Sequence, residues 1–212
     1  CMKMRVPVIF VLLLSGGLLI WFTNSLDRKH APQTAERWAD QTADLDELGG
    51  YKHAMAARYM RFADAAAAEH KHDAERLFRA LARSEQIHEM NCADAVRRLG
   101  AHYRAPQHVI VFRSKTGANL SQALGDERHH YPFYRRAIGE ALESGNRYAA
   151  RVLIRIAGGE MRQIELLECF ILHPDHAGYA VCPLCGNLFP ASYCDYYCPF
   201  CLTPENDFIR FE

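Results

Sequence analysis

The sequence carries no excess of charge of either sign. Its 25 lysine and arginine residues balance 25 aspartate and glutamate residues, so the formal net charge is zero. Proteins that bind nucleic acid through its phosphates usually carry a basic surface, so we expect no nucleic-acid partner. Half of the 212 residues are apolar, which is enough for one medium-sized domain and a small additional module.

Long apolar runs are scarce, and the segment near the N-terminus is the clear exception. Residues 6–22 carry no charge and follow Lys3 and Arg5. A membrane-spanning helix needs about 20 residues, with a lower limit near 17. The run is followed neither by a clear A-x-A cleavage site nor by a lipoprotein cysteine. We therefore expect residues 1–25 to form a membrane helix that anchors an extracytoplasmic protein. A cleaved signal peptide, which would release a secreted or periplasmic protein, is the alternative.

The most specific motif lies near the C-terminus. Cys182-Pro-Leu-Cys185 and Cys198-Pro-Phe-Cys201 are two C-x-x-C pairs, separated by twelve residues. Two such pairs can arrange four thiolates tetrahedrally around one Zn²⁺ or one iron. A module of about 35 residues usually needs a metal or disulfides to fold. Residues 177–212 resemble rubredoxin, a one-iron electron carrier, and a structural zinc ribbon is the alternative.

Helical periodicity fills most of the remaining chain, after a predicted linker at residues 26–43. Four helices are predicted, at about 44–69, 72–99, 118–143 and 146–172. The connection at residues 100–117 contains a β-like stretch, His108–Phe112, and is long enough to cross the length of a bundle. Two short loops and one long crossover are typical of ferritin-like connectivity. The predicted fold is therefore mainly α, with a ferritin-like four-helix bundle at residues 44–176 followed by the four-cysteine ribbon.

Three of these helices carry acidic residues within their apolar faces. Glu85 and His88 share a face of the second helix, Glu127 and His130 share a face of the third, and Glu160 lies on the fourth. A buried carboxylate must be neutralised by protonation, by an ion pair or by a metal. Glutamates from two helices and Glu-x-x-His motifs from two others form a di-iron carboxylate site. We expect these five residues to bind metal and to be catalytic.

Taken together, these motifs resemble the rubrerythrin family over roughly residues 45–212. The markers are Arg58-Tyr59 with Phe62-Ala63, Glu85-x-x-His88, Asn119-Leu120 leading to Glu127, Glu160 and the four cysteines. The resemblance implies a peroxide reductase that dimerises. Electrons would pass from a reductase to the rubredoxin-like centre, and then to a di-iron site that reduces peroxide or oxygen.

The chain also departs from the family pattern. Lys52 stands where the family has a first-helix glutamate, and Gln163 stands where it has a fourth-helix histidine. An internal repeat of 75 residues independently aligns Lys52 with Glu127. On the third helix, His130 replaces a second glutamate.

Within the remaining set, the resemblance assigns Glu85 and Glu160 as bridging carboxylates. His88 and His130 would serve one iron position, and Glu127 the other. Three interpretations stay open: a modified di-iron site, a single metal beside the Lys52 ammonium, or no metal.

Two principal functions follow from these interpretations. The first is a membrane-anchored oxidoreductase that reduces peroxide or oxygen through both centres. The second is a non-catalytic electron carrier or structural subunit whose bundle has lost the di-iron site. Iron binding or storage without peroxidase turnover is a third hypothesis.

Overall fold

The computed structural model describes residues 36–174, 178–192 and 195–212. Its four long helices and three short strands follow one another along the chain. They are α1 Ala39–Ala68, α2 His72–Arg98, α3 Thr116–Glu143, α4 Arg147–Leu172, β1 Tyr179–Val181, β2 Leu188–Pro190 and β3 Ile209–Phe211, with a 3₁₀ turn at Glu205–Asp207. The predicted N-terminal membrane helix lies outside the described residues. Among the helices that are described, none is long and apolar enough to cross a membrane.

Short turns join the helices within each pair. Gly145 follows α3 with φ of +79°, a conformation that glycine adopts at little cost. Asn146 then caps α4 by accepting a hydrogen bond from the backbone N–H of Ala149 at 3.0 Å. This tight turn places α3 and α4 side by side, as the sequence predicts.

The structure differs from the sequence-based expectations at the start of α1 and in the connection between α2 and α3. Helix α1 begins at Ala39, five residues earlier than expected, so part of the predicted linker is helical. The β-like stretch His108–Phe112 forms no strand within the described ranges. Ile110 and Phe112 are exposed there, and none of the described strands pairs with this stretch to supply the hydrogen bonds that a strand requires.

Two apolar cores fill the bundle, one at each end. The first includes Phe62, Phe78 and Leu167, and the second includes Leu48 and Leu153. Between the two cores, all four helices contribute buried polar side chains to one layer. The members of this polar layer are Lys52, Glu85, His88, Glu127, Glu160 and Gln163.

The four-cysteine module packs directly on the bundle. Its strands form an antiparallel sheet in the order β2-β1-β3. Tyr179, Val181 and Leu188 are buried in the same apolar core as Phe78 of α2. The other face of the sheet packs around the cysteines, with the Phe189 ring stacked on Phe208. The module and the bundle therefore share a hydrophobic core.

Candidate metal centres

The four predicted cysteines come together in the module. Cys182 and Cys201 have their sulfurs 3.4 Å apart, and Cys185 and Cys198 have theirs 3.5 Å apart. All four sulfurs lie within 4.8 Å of one another. Sulfurs held tetrahedrally at about 2.3 Å from one metal would be about 3.8 Å apart. The cluster therefore fits one tetrahedral metal ion.

The two C-x-x-C pairs form the same type of turn. The backbone N–H of Gly186 donates to the carbonyl of Cys182 at 3.0 Å, and that of Leu202 donates to Cys198 at 2.9 Å. Gly186 has φ of +78° and Leu202 has φ of +63°. Each turn thus needs a left-handed residue directly after its second cysteine, and the first turn uses glycine for it.

Lys52 is the centre of the polar layer. Its side chain is fully buried, and its Nζ atom pairs with Glu85 Oε2 at 2.9 Å and also with Glu160 Oε2. Burial opposes the charge, but the carboxylates of Glu160 and Glu85 outweigh it and raise the pKa of Lys52 well above its ordinary value. The ammonium group therefore lies between the two carboxylates that the family resemblance assigns as metal bridges.

Glu160 and His88 complete this ion-pair group. His88 Nδ1 lies 3.1 Å from Glu160 Oε1 and 3.5 Å from Glu85 Oε1. Burial acts against ionisation of Glu160, yet Lys52 and His88 together lower its pKa below the ordinary range. Burial likewise opposes the charge on His88, whereas its carboxylate partners raise the pKa. The layer thus supplies cations for its buried carboxylates from its own side chains.

Glu127 is in a different state. Its carboxyl is buried, and the hydroxyl of Tyr59 donates a hydrogen bond to Oε1. Burial and the neighbouring Glu160 charge raise the pKa of Glu127 well above its ordinary value. The folded protein therefore binds the Glu127 proton more tightly than the unfolded chain does.

His130 lies at the edge of the layer. Its ring stacks on Tyr51, with the ring centroids 3.8 Å apart and the planes 7° from parallel. Burial and the Lys52 charge lower the pKa of His130 to about 4. The imidazole is therefore neutral at pH 7 and contributes no positive charge to the layer.

Gln163 stands where the family resemblance implies a histidine, and its side-chain amide donates hydrogen bonds within the polar layer. Its Nε2 donates to Glu85 Oε1 at 2.7 Å and to Ser84 Oγ at 3.0 Å. An amide N–H group that points at a carboxylate satisfies it as a donor and offers no lone pair to a metal. Gln163, like Lys52, thus satisfies a buried carboxylate without a metal.

Of the five predicted bundle residues, the structure groups three as potential ligands of one ion. Glu85, His88 and Glu160 have one ligand atom each within 4.8 Å of one another. Glu127 and His130 are outside this group, which is the bundle's candidate metal site among the residues that the structure describes. Lys52 pairs with Glu85 and Glu160, which the family resemblance assigns as bridging carboxylates, and Gln163 stands where the resemblance implies a histidine ligand.

The module covers one side of the polar layer. The Ser84 hydroxyl donates to the carbonyl of Gly186 at 2.5 Å, which joins the first cysteine turn to α2. A Cβ atom at Gly186 would lie 2.6 Å from His88 Cδ2, and one at Gly159 would lie 2.9 Å from His88 Cε1. Gly186 therefore allows the cysteine turn to approach the imidazole directly, and Gly159 allows α4 to do the same.

Sequence reasoning missed three residues at this junction: Ser84, Asn91 and Asn187. Asn91 Nδ2 donates to the carbonyl of Leu184 at 3.1 Å, and Asn187 Nδ2 donates to Cys185 Sγ at 3.3 Å. Asn187 follows the first C-x-x-C-Gly motif, and an amide at that place was the available signal.

Comparisons with solved structures agree with this architecture. The mixed-valence and the fully reduced, all-ferrous structures of nigerythrin match with TM-scores of 0.73 and 0.74, at 24% and 25% sequence identity. Each alignment covers 81% of this chain and 86% of the nigerythrin chain. No protein-family model and no curated protein matches the sequence. Nigerythrin is a rubrerythrin-type protein, so the predicted resemblance, the helical bundle and the four-cysteine cluster are confirmed.

Proposed function

We propose that this chain is a rubrerythrin-type iron protein that transfers single electrons through its four-cysteine centre. The observation that carries the proposal is the Lys52 ammonium between Glu85 and Glu160. An internal cation in the bridging position leaves the module as the principal redox centre and the bundle as its support. This is the second of the two functions that the sequence predicts.

The cofactor of the module is iron in this proposal. Support comes from the fit of the four sulfurs to one tetrahedral ion and from the likeness to nigerythrin, which is described in an all-ferrous state. Iron bound by four thiolates would supply a one-electron ferric–ferrous couple. Leu184 and Leu202 are exposed on the two cysteine turns, and an electron-donating reductase would approach the sulfurs there.

Metal analysis of the full-length protein from iron-replete cells tests the proposal. We expect one iron per chain, a red oxidised form and reversible one-electron reduction. A colourless protein with one tightly bound zinc would remove the electron-transfer function. Three irons per chain with rapid peroxide turnover would show that the bundle retains a working di-iron site.

The variant Lys52→Glu with Gln163→His gives the matched comparison. It restores the two family ligands and removes the cation that repels a metal in a low-dielectric interior. We expect bundle iron to rise above that of the unmodified protein, and any peroxidase rate to rise with it. Gln163→His alone keeps the ammonium and should gain little iron. No gain in the double variant would mean that the surrounding side chains, rather than these two, determine the site.

Peroxide or oxygen reduction is the second candidate, and the grouping of Glu85, His88 and Glu160 favours it. One metal could bind these three residues if the Lys52 side chain withdrew. Peroxide-dependent oxidation of the reduced protein, at a rate abolished by Glu160→Gln, would support this candidate. An electron-donating reductase and a second copy of the chain are the partners proposed for either function.

A further inference from the structure

Asn187 is a buried amide between the four-cysteine centre and the bundle. Its side chain is fully buried. The Nδ2 group donates to Cys185 Sγ at 3.3 Å and, at 3.4 Å, to the backbone carbonyl of Arg155 on α4. Both neighbours are acceptors, so the NH₂ group rather than the oxygen must face them. The bundle therefore fixes the orientation of an N–H bond that points at a metal-binding sulfur.

The amide has a cost that an apolar side chain would avoid. Asn187 Oδ1 is buried without a hydrogen-bond partner in the described part of the chain. A buried polar atom left unsatisfied costs about 1–3 kcal/mol. Packing alone therefore does not account for asparagine here, whereas the N–H donated to the sulfur does.

We propose that Asn187 raises the reduction potential of the four-cysteine centre by donating a hydrogen bond to the Cys185 thiolate. This inference rests on the proposed function, because it requires iron in the module. Reduction adds one electron and no proton to a centre that is already anionic, since four thiolates outweigh a ferric ion. An N–H donor stabilises the more negative ferrous form more strongly than the ferric form, and hydrogen bonds to sulfur are a recognised determinant of such potentials.

A second side chain offers an internal comparison. The Thr203 hydroxyl lies 3.1 Å from Cys201 Sγ, and it can act only as the donor when that sulfur is a metal-bound thiolate. The Thr203 backbone carbonyl accepts a hydrogen bond from the N–H of Cys198, within the module. Asn187, in contrast, is held by Arg155 of α4, so its contribution depends on the docked position of the module.

The test is the reduction potential of the iron-loaded, full-length protein. Asn187→Leu removes the donor while keeping a buried side chain of similar size. We expect its equilibrium constant for reduction to fall about tenfold, which for one electron is about 59 mV. The sulfur-to-iron charge-transfer bands of the oxidised form should move to longer wavelength, because the sulfur becomes the better electron donor. Thr203→Val should shift the potential in the same direction.

Asn91→Ala is the matched control. Asn91 also donates to the first cysteine turn, but to the Leu184 carbonyl and not to a sulfur. The reduction potential and the absorption spectrum of the Asn91→Ala variant should stay unchanged. An unchanged potential in Asn187→Leu, or an equal shift in Asn91→Ala, would overturn the inference. If Asn187→Leu loses its iron, Asn187→Ala provides the same measurement without the larger side chain. Failure of the proposed function would look different, as the unmodified protein would then show no reversible iron couple.

Discussion

At the scale of single residues, Lys52 is the buried cation of the polar layer. A fully buried ammonium is stable only where anions surround it, and Glu85 and Glu160 provide them. The stabilisation is mutual, because the two buried carboxylates are also stable only when a cation neutralises them. Removing one member of such a group leaves an uncompensated buried charge.

Lys52→Met should therefore be strongly destabilising. We expect the free energy of unfolding of the metal-free protein to fall by about 3–5 kcal/mol, since breaking a buried ion pair from one side typically costs that much. Denaturant titration at pH 7 measures it. Lys71→Met is the control, because Lys71 pairs with Glu69 on the surface and such pairs contribute about 0–1 kcal/mol. Equal stability losses in both variants would contradict the account.

Glu127 gives a pH-dependent prediction. Its pKa is raised in the folded state, so above the ordinary value of 4.5 the unfolded chain releases a proton that the folded chain keeps. Stability is therefore lost as pH rises above 4.5. Glu127→Gln mimics the protonated acid and should have the higher melting temperature, by an amount that grows as the pH rises above 4.5. Each kcal/mol corresponds to about 2–4 °C.

Glu140→Gln, at an exposed position, is the control for this pH series. It should show no gain that grows with pH. A constant difference between Glu127→Gln and the unmodified protein across the series would mean that Glu127 is already ionised in the folded state.

The sequence predicts much of this layer but not all of its contacts. Lys52 is visible because the repeat and the family pattern both place a glutamate there, and Gln163 is visible because the family pattern places a histidine there. The contacts of Ser84 with Gly186 and of Asn187 with Arg155 join residues far apart in the chain. The amide of Asn187 after the cysteine motif is visible in the sequence, but these contacts are not, because they depend on the angle at which the module docks.

At the scale of elements, the first cysteine turn must meet two requirements at once. It needs a left-handed residue after Cys185, and it needs close contact with α2. The second turn also needs a left-handed residue and accepts Leu202 there at φ of +63°, while its contact with the bundle is made by the Phe200 ring on Gly158 of α4. Helix positions follow from periodicity in the sequence. The β-like stretch His108–Phe112 forms no strand among the described residues, because strand formation requires a partner that the pattern does not specify.

Comparison of Gly186→Ala with Gly145→Ala should separate the cost of the left-handed backbone from the cost of close contact with α2. The positive φ alone costs about 1–2 kcal/mol for a residue with a Cβ atom. At Gly186, the added Cβ also meets His88 and the carbonyl of Ser84. Gly145→Ala has a similar φ of +79° and nothing within 4 Å of its Cβ, so it measures the backbone cost alone. We expect Gly186→Ala to lower the free energy of unfolding more than Gly145→Ala does. Equal losses would show that the turn can move away from the bundle.

At the scale of the whole molecule, the module and the bundle share one apolar core. Tyr179, Val181 and Leu188 complete the core that contains Phe78. Metal binding supplies much of the folding free energy of small thiolate modules. Loss of the metal should therefore affect helices that bind no part of it.

Cys182→Ser tests this coupling. We expect loss of the metal, retention of most helical circular dichroism and a lower melting temperature of the helices, because the apolar core of the bundle becomes exposed. Cys169→Ser, at an exposed free cysteine, should change neither metal content nor melting temperature. An unchanged helical transition in Cys182→Ser would mean that the two parts fold independently.

The predicted anchor at residues 6–22 requires a test in cells. The protein should sediment with membranes, resist extraction by salt and dissolve in detergent, as expected for an apolar helix of this length. A variant without residues 1–25 should be soluble and folded. A native soluble form that begins near Leu26 would indicate a cleaved signal instead.

Gly159 and Gly186, which contact the His88 ring, have a consequence for hydrogen exchange at its ring nitrogens. Gly159 and Gly186 lie so close to the ring that the imidazole has no exposed surface. In heavy water, the nitrogen-bound hydrogen of His88 can be replaced by deuterium only when the module lifts from α2 and α4. Its replacement rate, followed by nuclear magnetic resonance, would then report how often the module opens, and Asn91→Ala should accelerate it.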